Sequence, residues 1–433
     1  MDGDTVVTQE PGGTSMPLRQ TARSILAGSI GNAVESFDWA IYTAFAIYFS
    51  RQFFPADNES VALMSSFAVF AVGFGMRPLG GWAAGWIADR FGRRSALSLT
   101  IVGMGGASLL IAALPTYQQI GLLAPILMTA LRMLQGLSMG GEYGAATLFL
   151  IESAPPARRG FYGSFLFFSI AAGLLAASAL GALLAMLLSA ADMAAYGWRI
   201  PFVIGGCGSL YGFWMRHGLP ETPAFVELRK AGRNRGRSVW WMWRHCRAAV
   251  LRLVGITLLG AFSFYLFVSF MPVYAIHHAG AAPADAFLAS TIGIALFMIA
   301  QPFFGTLSDR IGRRPQLMVF ALAYLLFLIP VVKTVGAGFW SILLAECFGL
   351  LAYGLYTSVA PAVMTEQFDA EVRGVGIGTV YNLVVAIFGG TTPLLMTALQ
   401  RHDRTDWFLA YICVGAAISL FTYWRMPETA GKS

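Results

Sequence analysis

Apolar and polar residues alternate along this chain in long blocks rather than in short periods. Apolar stretches fall near 24–49, 61–87, 95–114, 119–150, 160–188, 199–216, 251–276, 284–307, 315–333, 339–365, 375–400 and 405–426. A helix needs roughly 20 such residues to cross a bilayer. The twelve stretches, numbered here as spans 1 to 12, predict an all-α polytopic membrane protein with both termini on one side. Span 1 breaks its own pattern, because GNAVESFDW (31–39) sets Glu35 and Asp38 near its middle. An ionised acid at that depth costs roughly 2.5–3.5 kcal/mol. Something must protonate, pair or solvate these two carboxylates.

Composition supports the membrane reading. The chain is 57% hydrophobic and 12% charged, against about 25% charged in a soluble domain. Its net charge of +7 is explained by placement rather than by nucleic acid. With the N-terminus in the cytoplasm, 22 of the 29 Lys and Arg fall in the tails and cytoplasmic loops. Only Arg51, Arg199, Lys333, Arg401 and Arg404 lie outside, and Arg77 and Arg132 stay within the membrane. That bias orients the chain. Cys207, Cys246, Cys347 and Cys413 show neither metal-ligand spacing nor a disulfide framework, and no cofactor is expected. Residues 1–23 and 427–433 read as cytoplasmic tails, the first without signal-peptide character. The loop 217–250 carries RKAGRNRGR and then SVWWMWRHCR. Its arginines suit a solvated face near anionic headgroups, and Trp240, Trp241 and Trp243 an interfacial anchor.

The two halves repeat each other. GWIADRFGRR (85–94) and GTLSDRIGRR (305–314) share Gly85/Gly305, Asp89/Asp309, Arg90/Arg310 and Arg93/Arg313 at an offset of 220. Glu152 precedes Arg159-Gly160 by seven residues, as Glu366 precedes Arg373-Gly374. Matching loops predict two pseudo-symmetric six-helix bundles, 24–216 and 251–426, joined by the basic linker, the architecture of a rocking transporter. All eight residues of the repeated loop are expected to serve gating.

The loop repeat and RMLQG (132–136) resemble the major facilitator superfamily. GNAVESFDW, FAVGFGMRPLGG (70–81), GLSMGGEYG (136–144), RRGFYGSF (158–165) and GWRIPF (197–202) resemble its metabolite:proton symporter branch over almost the whole chain. That branch takes up citrate, tricarballylate, alpha-ketoglutarate, shikimate and proline or betaine. FFPADNESVALMSSFAVF and AIFGGTTPLLMTAL look citrate-like, whereas MRHGLPETPAF, FMPVYAIHH and QPFFGTLSDRIGRRP look closer to the proline/betaine type. Ser36, Leu166-Phe167-Phe168 and Phe270-Met271 depart from the pattern of the branch or of its citrate-type members. The resemblance implies the major facilitator fold, a bacterial-type cytoplasmic membrane and a chain working as a monomer. It also implies that Asp89 meets the start of span 11 at Arg373-Gly374 and Asp309 the start of span 5 at Arg159-Gly160, latching the cytoplasmic side. A carboxylate is favoured at a helix N-terminus, although the loop charges would also serve topology alone.

Arg132 and Gln135 share a face of span 4 by their three-residue spacing. An intramembrane guanidinium faces a cavity or a partner, and its planar fork suits a substrate carboxylate; a structural ion pair is the alternative. Arg77 lies about 18 Å above Asp89 at a rise of 1.5 Å per residue, level with Glu35 and Asp38, so it either pairs with those acids or braces Pro78. Glu35 and Asp38, one helical turn apart, are the expected proton site, and Glu142 a further one. Asn32, Tyr42, Tyr265, Tyr274, Tyr356, Tyr381, Asn382 and Glu346 are candidate polar lining. His277-His278, adjacent in sequence, point to different faces, which argues against metal binding.

These features predict secondary active symport of a small carboxylate-bearing metabolite with protons, a di- or tricarboxylate being favoured over proline or betaine. Drug export is disfavoured because SIAAGLLAASALG in span 5 has no Gly-Pro element. A membrane enzyme would need a convergent catalytic cluster, and ATP drive a phosphate-binding loop. Neither pattern occurs in the sequence.

Overall fold

The computed structural model describes residues 18–55, 59–217, 221, 223–230, 239–389, 392, 395, 399 and 404–430. Most of the N-terminal tail, 231–238 of the linker and the last three residues lie outside these, as do the side chains of His277 and His278. Helices occupy each of the twelve stretches. Seven of the described helices are long and apolar enough to cross a membrane, by length and composition. Their outward faces stay apolar, with Met186, Phe303 and Trp340 more than 70% exposed, as expected where lipid replaces water.

The packing pattern reveals the duplication. In the first half span 1 packs on span 5, span 2 on span 4 and span 3 on span 6; the second half repeats this as 7 on 11, 8 on 10 and 9 on 12. The halves meet chiefly where span 2 crosses span 11 and span 5 crosses span 8, again a symmetric pair.

Departures from regular helix are few and sit near the centre. Span 2 is interrupted at Met76, between Glu59–Gly75 and Arg77–Phe91, with Pro78 at the start of the second piece. Proline tolerates that position because the N–H it lacks would be unpaired anyway. Span 7 widens into π-type turns at Phe264–Phe270, and span 11 at Val385–Gly389. Such insertions shift side-chain register and recur at functional sites. The turns after spans 2 and 8 are closed by Gly92 and Gly312, at φ 104° and 100°, a region where a side chain is strained.

Candidate functional site

A central cavity lies between the bundles, with space of about 70 Å³ for water-sized groups. The first bundle contributes Glu35 and Trp39 from span 1, Phe74 and Arg77 from span 2 and Tyr143 from span 4. The second contributes Tyr265 from the wide turn of span 7, Tyr353 and Tyr356 from span 10 and Tyr381 from span 11. Tyr143 and Tyr381 stack face to face across the bundle boundary, centroids 3.8 Å apart. Arg77 is the cation of this cavity. It is 8% exposed, its guanidinium lies 5.0 Å from the centre of the Phe74 ring, and its Nε donates to Asn382 Oδ1 at 3.4 Å. Among the described residues no carboxylate forms an ion pair with it.

Arg132 is placed differently. It lies in a small adjoining pocket with Glu35, Asp38 and Gln135. Its Nη1 donates to Gln135 Oε1 at 2.5 Å, and Gln135 Nε2 donates to Asp38 Oδ2 at 2.7 Å and to Ser108 Oγ at 2.8 Å. Ser108 Oγ in turn donates to Asp38. The guanidinium rests over Tyr42 at 4.0 Å, and Tyr42 donates its own hydroxyl to Ser66. The arginine therefore reaches Asp38 through an amide rather than directly. Asp38 Oδ1 and Arg132 Nε are buried without a hydrogen-bond partner, a costly condition for polar groups in a dry interior.

Glu35 and Asp38 share a helix face but do not share an environment. Glu35 opens on the central cavity, on the Asp38–Arg132 pocket and on a third, smaller pocket with Glu142, whose carboxylate accepts from Thr100. One buried carboxylate thus stands where three polar compartments meet, and its Oε2 has no partner.

Other expected residues lie away from the cavity. Asn32 and Asn382 are each 1% exposed and line none of the three compartments. Glu346 packs between spans 8 and 10, taking a hydrogen bond from Ser290. Tyr42 supports Arg132, and Tyr274 is buried outside the cavity. The sequence reading missed Trp39, Tyr143, Tyr353 and Ser108. Trp39 could have been found one turn from Glu35, and Tyr353 one turn from Tyr356.

The duplicated loops make the contacts their resemblance implied. Asp89 accepts from the N–H groups of Gly374 and Val375 at 3.1 and 3.0 Å, and Asp309 from those of Gly160 and Phe161 at 2.8 and 2.9 Å. A methyl on Gly374 would stand 2.6 Å from Asp89 Oδ1, so glycine permits the approach. Arg93 Nε and Nη2 donate to Glu152 at 3.0 and 3.1 Å. Two acids absent from the sequence-based reading complete the set. Glu221 accepts from the N–H groups of Arg93 and Arg94, and Glu428 from those of Arg313 and Arg314. They cap the starts of spans 3 and 9 from the ends of spans 6 and 12. The signal was present as P-E-T at 220–222 and again at 427–429.

Two of the expected gating residues are not brought into the latch. Arg90 and Arg310 each follow the latch aspartate by one position, a rotation of about 100° around the helix. That rotation turns both away from the helix end the aspartate grips, and both are exposed. Arg90 lies over the rings of Trp86 and Phe91, at 5.2 and 5.6 Å. Arg310 has no hydrogen bond or ion pair among the described residues, so neither arginine joins the helix-end contact of its aspartate in this structure. The arginines that do join the latch, Arg93 and Arg313, stand four residues after their aspartates and share their face.

Comparison with known proteins agrees with this geometry. The model of the Major Facilitator Superfamily matches residues 28–393. The alpha-ketoglutarate permease of Escherichia coli K12 is 35% identical, covering 99% of both chains. The citrate-proton symporter of Salmonella typhi is 35% identical over 94% of this chain and 95% of its own. The proline/betaine transporter of Escherichia coli K12 is 31% identical over 95% and 84%. Among solved structures, the proton:xylose symporter XylE bound to 6-bromo-6-deoxy-D-glucose superposes with a TM-score of 0.79 at 19% identity, covering 96% of this chain and 98% of its own. The chain belongs to the Major Facilitator Superfamily and is a transporter, with the two-bundle fold of that family.

Proposed function

We propose that the chain is a proton-coupled importer of a small metabolite held by one carboxylate, working by alternating access in a bacterial-type cytoplasmic membrane, as a monomer with both termini cytoplasmic. The observation that carries this is Arg77, a buried guanidinium on the central cavity with no acid paired to it among the described residues. An intramembrane cation without an ion-pair partner calls for an anionic ligand, and a guanidinium fork matches a carboxylate bidentately. Tyrosine hydroxyls around it fix the remainder of the ligand. The related permeases named for alpha-ketoglutarate, citrate, shikimate and proline or betaine all act on molecules that carry a carboxylate. The name of the citrate-proton symporter supports proton coupling.

In this reading Asp38 is the proton carrier and the Arg132–Gln135–Ser108 cluster positions it. Glu35 passes charge information between the compartments. A proton taken up from outside neutralises the acid as the substrate neutralises Arg77, so the loaded carrier keeps the same net charge but buries fewer uncompensated charges when it reorients. Glu142 lies on the route towards the latch side. No cofactor is needed, since the proton gradient supplies the drive. A second reading, uptake of a zwitterion, is favoured by one feature: the cavity walls are rich in tyrosine, which suits an ammonium group.

Uptake into proteoliposomes under an imposed pH gradient tests both, with labelled alpha-ketoglutarate, citrate, shikimate, proline and betaine. Arg77→Lys should weaken apparent affinity about tenfold or more, because a charged hydrogen bond is worth roughly 1.5–3 kcal/mol. Unchanged affinity in that variant would remove Arg77 from the substrate site. Asp38→Asn should abolish accumulation while leaving exchange, and persistence of uphill uptake would overturn the proton assignment.

A further inference from the structure

The crossing of spans 2 and 11 is an antiparallel ladder. Gly374 meets Gly85, Gly378 meets Gly81, and Asn382 meets Arg77, each step advancing four residues on one helix and retreating four on the other. The two lower rungs are glycine backbones in contact, which leave no side chain to hold the helices together. Side-chain hydrogen bonds hold the ladder at its ends alone. At the bottom Asp89 takes the amides of Gly374 and Val375. At the top the Asn382 amide accepts from Arg77 Nε at 3.4 Å and donates to Gly140 O of span 4 at 2.8 Å and to Gly378 O at 2.7 Å. One buried amide of the second bundle thus grips two helices of the first.

This top rung touches the cavity through Arg77 itself, and the neighbouring Tyr381 lines the wall. The symmetric crossing has no such rung. Gly160 meets Gly305 there, but the positions matching Asn382 and Arg77 carry Phe168 and Phe297. Gln301, matching Gly81, turns instead to Thr357 of its own bundle.

We infer that Asn382 is a positioning residue that ties substrate occupancy to opening of the latch side: an anion drawing the Arg77 guanidinium into the cavity takes it from Asn382 and loosens the top of the ladder, where only the Gly140 bond then remains. Signalling then runs through spans 2 and 11, while the 5–8 crossing follows passively. This rests on the proposal that Arg77 holds the substrate carboxylate.

Hydrogen–deuterium exchange of the full-length protein, read in the peptide covering residues 373–384, tests it with each acid and zwitterion of the transport panel in turn. In the wild type the transported compound should speed exchange there by at least roughly fivefold, the lower end of site-to-site coupling. Asn382→Ala should exchange fast without substrate and respond little to it, while binding the compound about as well as the wild type. Asn382→Asp gives up the donors to Gly140 and Gly378 but offers Arg77 a carboxylate, and that ion pair should keep exchange slow even when the compound is added. The opposite signs separate a coupling role from simple misfolding, which would speed exchange in both variants. An Asn382→Ala protein that keeps the full substrate response overturns the inference. Unchanged affinity in Arg77→Lys would instead overturn the substrate reading on which it rests.

Discussion

The two latch loops are spelled almost alike, yet they grip unequally. Both aspartates hold a helix N-terminus through two amides, and both loops are capped by a glutamate from the end of their own bundle. The difference lies in the third element. Glu152 is clasped by Arg93 at 3.0 Å, with Arg373 at 3.4 Å. Its counterpart Glu366 has Arg313 at 3.9 Å and Arg159 at 4.0 Å, beyond hydrogen-bond reach. A hydroxyl and a shorter aspartate contact, 2.6 Å against 3.4 Å in the first loop, accompany this. Arg313 Nη1 donates to Asp309 at 2.6 Å and to Ser308 Oγ at 3.1 Å, which turns its fork away from Glu366. The first loop has Ala88 at that place, and Arg93 Nη1 bonds only its carbonyl there, at 2.7 Å. A duplicated motif therefore preserves the helix-end contact while the surrounding ion pairs drift apart.

The largest test of the asymmetry removes each glutamate. Glu152→Gln leaves two arginines facing a neutral amide in a buried site, and breaking a buried ion pair costs about 3–5 kcal/mol. Glu366→Gln gives up only contacts at 3.9 and 4.0 Å, beyond hydrogen-bond reach, and its cost should be the smaller. Accessibility of a cysteine placed in the latch-side vestibule should rise strongly in the first variant and little in the second. Equal rises would mean that the two glutamates contribute alike despite their different distances. A smaller effect should follow from Ser308→Ala. Freed of the hydroxyl, Arg313 can swing onto Glu366, tightening the second latch by about 0.5–1.5 kcal/mol, a typical net hydrogen bond. The variant should label more slowly than the wild type; faster labelling would show that Ser308 itself is the clasp.

Much of this architecture was legible in the sequence because its signals are local. Span lengths, the basic inner loops and the duplicated Gly-x-x-x-Asp-Arg loop each occupy a contiguous stretch, and the contacts of Asp89 and Asp309 follow from the family resemblance. What the sequence hid depends on how helices are rotated against each other. Arg77 and Arg132 look interchangeable as intramembrane cations, and only packing places the first on the cavity and the second beneath Asp38. Asn382 reads as cavity lining by type and depth, yet a residue on the neighbouring face of the same turn, Tyr381, takes that place. Arg310 repeats Arg90 letter for letter, but both point off the latch face. The π-type turn of span 7 ends just before Met271-Pro272 and that of span 11 ends at Gly389, but neither letter by itself announces a widened turn. Even the exchange of Ala88 for Ser308 was visible as a letter, but its consequence needed the distances from Arg93 and Arg313 to their glutamates.

The finest discrimination between the latches is their response to pH. Burial pushes the Glu366 carboxyl above its ordinary value of 4.5; Thr429, Arg313 and Arg159 offset this in part, and Glu428 adds to it. Opening the latch would return Glu366 to water and to its ordinary value. The closed state therefore binds the extra proton, and Glu366 favours closure fully below 4.5, with that contribution lost as pH rises through the raised value. Glu428 behaves in the opposite sense. Burial alone would raise it, but the amides of Ala430, Arg313, Arg314 and Thr429 hold it below 4.5. Those donors all lie in its own bundle, so Glu428 stabilises that bundle rather than the closed latch, a contribution complete above 4.5 and lost only as pH falls through the lowered value. The two acids thus act in separate windows, and above 4.5 the pH response of this latch belongs to Glu366. Vestibule labelling should slow between about pH 8 and pH 5 more in the wild type than in Glu366→Gln, by the protons linked to closure. The difference between the two profiles isolates this carboxyl from the acids inside the membrane. Identical profiles would place the pH sensitivity of closure elsewhere and leave the second latch a purely geometric contact.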